Sequence, residues 1–139
     1  MSTPSAWEYF SVEELKCHCG KCAAWFMNAD FMEKMVKIRK FYNRPLTITS
    51  GYRCPEHDGE IGTSASPGSG PHTLGRAMDI NIWGDDLIAL LDVIGKLDLI
   101  TGIGLDQKHG TAPDARLLHV DDIGKGEMPG HPRPGIWTY

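Results

Sequence analysis

Ten residues from Gly62 to Pro71 read Gly-Thr-Ser-Ala-Ser-Pro-Gly-Ser-Gly-Pro, a stretch with no side chain able to anchor a core. Such a low-complexity run of small and turn-forming residues predicts a flexible surface loop. It leads straight into His72, as expected where a functional loop feeds a rigid element. Regular structure must therefore come from the segments on either side. Before the loop, Asp30 followed by Glu33 resembles a capping pair at a helix start. Phe31, Met35, Ile38 and Tyr42 then recur at helical spacing, and Arg44-Pro45 closes the segment. Residues 46–50 are rich in β-branched side chains and predict a strand. After the loop, residues 77–82 alternate as a strand does, and Asp85 is placed to cap a helix carrying Leu87, Leu90, Leu91, Ile94 and Leu97. Residues 99–103 and 116–120 predict two further short strands. The order helix, strand, loop, strand, helix, strand, strand points to an α+β fold with a small, largely antiparallel sheet flanked by helices.

At 139 residues the chain suits one domain spanning 1–139 with a modest core, and a monomer is expected. The formal net charge of −4 provides no basic footprint, so nucleic acid is not an expected partner. No apolar run approaches the length of a membrane span, so no membrane role is expected. The first ten residues lack a basic n-region and an apolar h-region, and do not read as a secretory signal.

His72 and Asp79 are separated by six residues, and His119 follows on a later predicted strand. Two histidines and a carboxylate that leave a fourth position open are the ligand set of a catalytic zinc site. His72 at a loop end and Asp79 on the next strand converge if Gly75 lets the chain turn between them. On spacing alone, a histidine and an aspartate seven apart are a weak signal.

The flanking residues are more specific. Ser50-Gly-Tyr-Arg53-Cys-Pro-Glu-His57, His72-Thr-Leu-Gly-Arg-Ala-Met-Asp79-Ile, Gly102-Ile-Gly104 and His119-Val-Asp121 occur in this order. Together they resemble the zinc D-Ala-D-Ala carboxypeptidase family of peptidoglycan peptidases, relatives of phage endolysins and of the hedgehog signalling fold. The resemblance covers roughly residues 8 to 139, including the ending Arg133-Pro-Gly-Ile-Trp-Thr-Tyr139.

The resemblance implies a zinc metallopeptidase with His72, Asp79 and His119 as ligands and the peptidoglycan stem peptide as substrate, cut either at its terminal D-Ala or internally. It implies a protein made in the cytoplasm without a signal peptide and acting at the cell wall after release, as a phage or lysis protein does. Arg53 corresponds to the family's arginine near the site. It holds a substrate carboxylate or carbonyl through a forked contact, or it forms an ion pair that secures its loop. Arg76 is a second cation available for a terminal carboxylate, unless it points to solvent.

The chain departs from the family pattern at two places. Many members carry Glu or Asp three residues before the last ligand, where Arg116 stands, and related enzymes carry a second histidine at the position of Leu117. Asp121 is the replacement as general base, because residues two apart on a strand share a face. The alternative is that Asp121 orients a ligand histidine. The serine usually two residues before the first ligand is replaced by Gly70, which leaves Ser69 as a substrate contact. The missing upstream acid motivates a competing function, a catalytically silent zinc-containing wall-binding or virion structural domain. Trp137 either walls the substrate cleft or belongs to the core. Cys17, Cys19 and Cys22, with Cys54, read as a structural metal site, a disulfide pair or buried thiols.

Overall fold

The computed structural model describes residues 5–61, 70–108 and 115–139. The elements in chain order are β1 (Ser5–Trp7), β2 (Phe10–Ser11), α1 (Val12–Leu15), α2 (Ala29–Tyr42), β3 (Thr47–Ser50), α3 (Pro55–Ile61), β4 (Ala77–Asn81), α4 (Gly84–Leu97), β5 (Gly102–Asp106), β6 (Leu117–Asp121) and β7 (Gly135–Thr138). β3 to β7 form a five-stranded sheet in the order β3-β4-β6-β5-β7, antiparallel except where β7 runs parallel to β5. The fold is α+β with a mostly antiparallel sheet, as its sequence pattern predicts.

Strand periodicity divides this sheet into two chemically different faces. Side chains along a strand alternate sides, so Met78 and Ile80 of β4 and Leu118 and Val120 of β6 all point to one face, where each is fully buried. α2 contributes Phe31, Met35, Ile38 and Tyr42 to this core, and α4 contributes Leu87, Leu90 and Ile94. Burying each large apolar side chain contributes about 1.5–3 kcal/mol. The same alternation puts Asp79, His119 and Asp121 on the opposite face, away from the helices. A one-residue slip would bury all three in hydrocarbon, so the core fixes the register that assembles them.

The helix starts differ from the expected ones. Asn28, not Asp30, caps α2: its side chain accepts the Phe31 amide at 2.9 Å, and Asp30 lies inside the first turn. α4 begins after Trp83 with no side-chain cap, and Asp85 sits in its first turn, where its charge complements the helix dipole. The strand expected at 99–103 runs from 102 to 106 instead. Asp98 closes α4 in the left-handed conformation, and residues 99–101 carry the chain back to the sheet. β1, β2, α1, α3 and β7 were not among the expected elements. Among the described residues no helix is long and apolar enough to cross a membrane.

Candidate metal centre

β4 and β6 pair with Asp79 directly opposite His119. His72 arrives from the turn before β4. Gly75 makes that turn possible with φ +69°, and a Cβ there would meet the Phe26 carbonyl oxygen at 2.0 Å. His72 Nε2 lies 3.3 Å from Asp79 Oδ1, and His119 Nδ1 lies 3.1 Å from the same oxygen. One atom from each of the three residues falls within 4.8 Å of the others. A tetrahedral ion with bonds of about 2.1 Å would set its ligand atoms roughly 3.4 Å apart. The donor set fits zinc in both chemistry and spacing.

The remaining ring nitrogens are already committed. His72 Nδ1 donates to the Gly51 carbonyl at 2.8 Å, and His119 Nε2 donates to Asp121 Oδ2 at 2.7 Å. In their neutral forms, with those protons directed outward, His72 Nε2 and His119 Nδ1 would present lone pairs inward for an ion beside Asp79. Partners that fix a ligand's tautomer in this way also raise its basicity.

Asp121 is fully buried behind His119. Besides accepting from His119, it receives a forked contact from Arg133, with Nε to Oδ1 at 2.9 Å and Nη2 to Oδ2 at 2.7 Å. Its position supports His119, and it does not line the cleft over His72, Asp79 and His119. Burial pushes its carboxyl upward, but the hydrogen bonds from His119 and Arg133 outweigh that and hold it down at about 2. The Gly102-Ile-Gly104 motif now has a steric explanation. Gly102 pairs with Asp121 and Gly104 with His119. A Cβ on Gly102 would come within 2.3 Å of Asp121 Oδ1, and one on Gly104 within 2.6 Å of the Trp137 indole nitrogen. The two glycines make room for the Asp121–Arg133 pair and for Trp137, whose ring packs 5.3 Å from that of His119.

Arg53 is buried and donates to Asp58 at 3.0 Å, with a longer contact to Asp79 Oδ2 at 3.5 Å. Asp58 also accepts the Gly70 amide at 3.2 Å, and Thr73 donates to the Arg53 carbonyl at 2.9 Å, so this group secures the turn that carries His72. Arg76 points away from the cleft. It binds Asp122 through Nε at 2.8 Å and also pairs with Glu127. Asp122 in turn holds Lys34 at 2.7 Å. Ser69 lies outside the described residues.

A cleft of about 580 Å³ opens over His72, Asp79 and His119, bounded by Arg53, Asp106, His131, Trp137 and Tyr139 among others. Trp137 therefore walls the cleft. Sequence reasoning missed Arg133, His131 and Asp106. Asp106, half-buried at the end of β5, pairs with Leu117 and shares the sheet face of His119. It was hidden by placing that strand three residues too early.

Without metal, the charges interlock. Burial works against an ionised Asp79, but the charge on His72 and hydrogen bonds from both histidines outweigh it and keep its carboxyl well below the usual range. Burial also works against a charged His119, yet hydrogen bonds to Asp121 and Asp79 raise it from 6.5 to about 9. A histidine raised on folding contributes stability that is complete below about 6.5 and lost as pH rises through about 9. A metal ligand must give up this proton, so zinc affinity has the opposite slope. In chelator, the melting temperature is expected to fall between pH 6.5 and 9. In excess zinc, that fall should vanish or reverse. A flat profile in chelator would contradict the assigned proton positions.

A family model described as Peptidase M15 matches residues 8–121. No curated protein and no solved structure is matched.

Proposed function

The chain belongs to the Peptidase M15 family, and from that premise we propose that it is a zinc peptidase cutting within the stem peptides of bacterial peptidoglycan. The observation that carries this reading is the convergence of His72 Nε2, Asp79 Oδ1 and His119 Nδ1 at the floor of an open cleft. Zinc held by these atoms would supply Lewis acidity, lowering the pKa of a water and polarising the scissile carbonyl.

The remaining work falls to the chain's own side chains. Asp121 and Gly51 hold the two histidines in the tautomers a metal requires, so Asp121 is a positioning residue. Arg53 ties down Asp79 and gives the cleft wall a positive edge toward a substrate carbonyl. The proton-transfer group is Asp106, a carboxylate in the cleft wall, across the β5–β6 ladder from the stretch where relatives carry their acid. Ser69 is proposed as a substrate contact from the loop before His72.

An internal cut is favoured over removal of a terminal D-Ala by the state of the cations. A carboxypeptidase needs a positive group for the free carboxylate. Arg53 is paired with Asp58 and Asp79, Arg133 with Asp121, and Arg76 with Asp122 and Glu127. Mass spectrometry of products from defined muropeptides, with and without chelator, tests this. The expected products come from cleavage within the stem, equally for free and amidated C-termini, and vanish in chelator. Asp106→Asn is expected to lower the rate roughly 10²- to 10⁴-fold with zinc content unchanged. Loss of only the terminal D-Ala would refute the internal cut. Binding of muropeptide without any product would replace the enzyme by a zinc-containing wall-binding domain.

A further inference from the structure

We infer that Cys17, Cys19, Cys22 and Cys54 form a second metal site, a structural zinc tetrathiolate separate from the centre in the cleft. All four Sγ atoms lie within 4.8 Å of one another, with Cys19 and Cys22 at 3.6 Å. Zinc–sulfur bonds of about 2.3 Å in a tetrahedron place the sulfurs roughly 3.8 Å apart. Two disulfides would require closeness only within each pair, whereas here four free thiols converge on one point.

The backbone around the cluster is built for thiolates. Cys19-Gly20-Lys21-Cys22 turns at Gly20, with φ +79°, so that the Lys21 amide donates to Cys19 Sγ at 3.3 Å. The Cys54 amide donates to Cys17 Sγ, also at 3.3 Å. Amides directed at sulfur favour its charged, metal-binding form. His18 is not among the converging ligand atoms, which are all four cysteine sulfurs, and its Nε2 hydrogen-bonds the Glu13 carbonyl at 3.1 Å. Cys17 is buried while Cys22 is exposed, so the ion enters from solvent and is enclosed on one side.

The position gives the site its purpose. Cys17 follows α1, and Cys54 lies between Arg53 and the first residue of α3. α3 carries Asp58, the partner of Arg53. A metal joining 17–22 to 54 therefore staples the N-terminal segment to the corner that presents Arg53, adding to the Leu15–Tyr52 backbone bond and the Lys21–Glu56 ion pair already there.

Zinc counting by elemental mass spectrometry and cobalt substitution test the inference. Wild-type protein purified under reducing conditions should hold two zinc ions per chain, and His72→Ala/His119→Ala one. The cobalt form of that double variant should show the near-ultraviolet thiolate-to-cobalt band. Cys19→Ser/Cys22→Ser should lose one ion and the band. In wild-type protein, the four thiols should resist alkylation until zinc is chelated. If the Cys variant does not fold, the histidine variant and the alkylation experiment still decide. No metal in the histidine variant, no thiolate band, or an intact mass short of a hydrogen pair per bridge would overturn the site. A protein with thiolate zinc that cuts no peptide would leave this inference standing and remove the peptidase reading alone.

Discussion

Replacing His119 by alanine is expected to abolish zinc retention in the cleft and to slow peptide cleavage by about 10³-fold or more, some 4 kcal/mol of lost transition-state stabilisation. His119 is the central element of the arrangement. Its Nδ1 faces Asp79 at 3.1 Å, and its Nε2 is held by Asp121 at 2.7 Å. Removing the ring takes away one of the three candidate ligands and the link through His119 between Asp121 and the metal position. The fold should survive, because Asp121 keeps its forked contact with Arg133 and the core lies on the other face of the sheet. Elemental analysis, cleavage rate and melting temperature measured together check this. A folded His119→Ala protein with normal turnover would show that the metal centre has been misassigned.

Asp121→Ala should produce the largest loss of stability. Arg133 is nearly as buried as Asp121 itself, so the variant leaves a guanidinium without its counter-charge. Breaking a buried pair on one side costs about 3–5 kcal/mol, and removing both partners costs much less. Urea denaturation should therefore show a loss of that size for Asp121→Ala and recovery of most of it in Asp121→Ala/Arg133→Met. Zinc affinity should also fall roughly 10- to 100-fold, because His119 loses the acceptor that fixes its tautomer. At saturating zinc, turnover should return. A rate that stayed low with zinc fully bound would return Asp121 to the role of proton-transfer group.

The sequence made the helix-and-sheet order legible where periodicity was strong. α2 and α4 carry apolar residues at helical spacing, and β4 and β6 alternate cleanly. α3 escaped because Pro55-Glu-His-Asp-Gly-Glu-Ile61 has no apolar stripe. α1 does carry a local signal, the reciprocal capping box of Ser11 and Glu14, but at four residues it has no periodic stripe. β7 is four residues long and pairs with β5, far away in the chain, so no local pattern announces it. The three candidate ligands were legible from their ordered flanking motifs, not from spacing. The groups around them were not, because strand register decides which residues meet. Asp121 reaches Arg133 across the space left by Gly102, and Asp106 enters the cleft through the pairing of β5 with β6.

His72, Asp79 and His119 are expected to hold zinc through one chosen atom each. Anomalous diffraction at the zinc edge, from crystals of the zinc-loaded protein, tests it most directly. A peak is expected about 2.0–2.2 Å from His72 Nε2, an Asp79 carboxylate oxygen and His119 Nδ1, with His119 Nε2 still bound to Asp121. Zinc on His119 Nε2, or no zinc among these three residues, would contradict it.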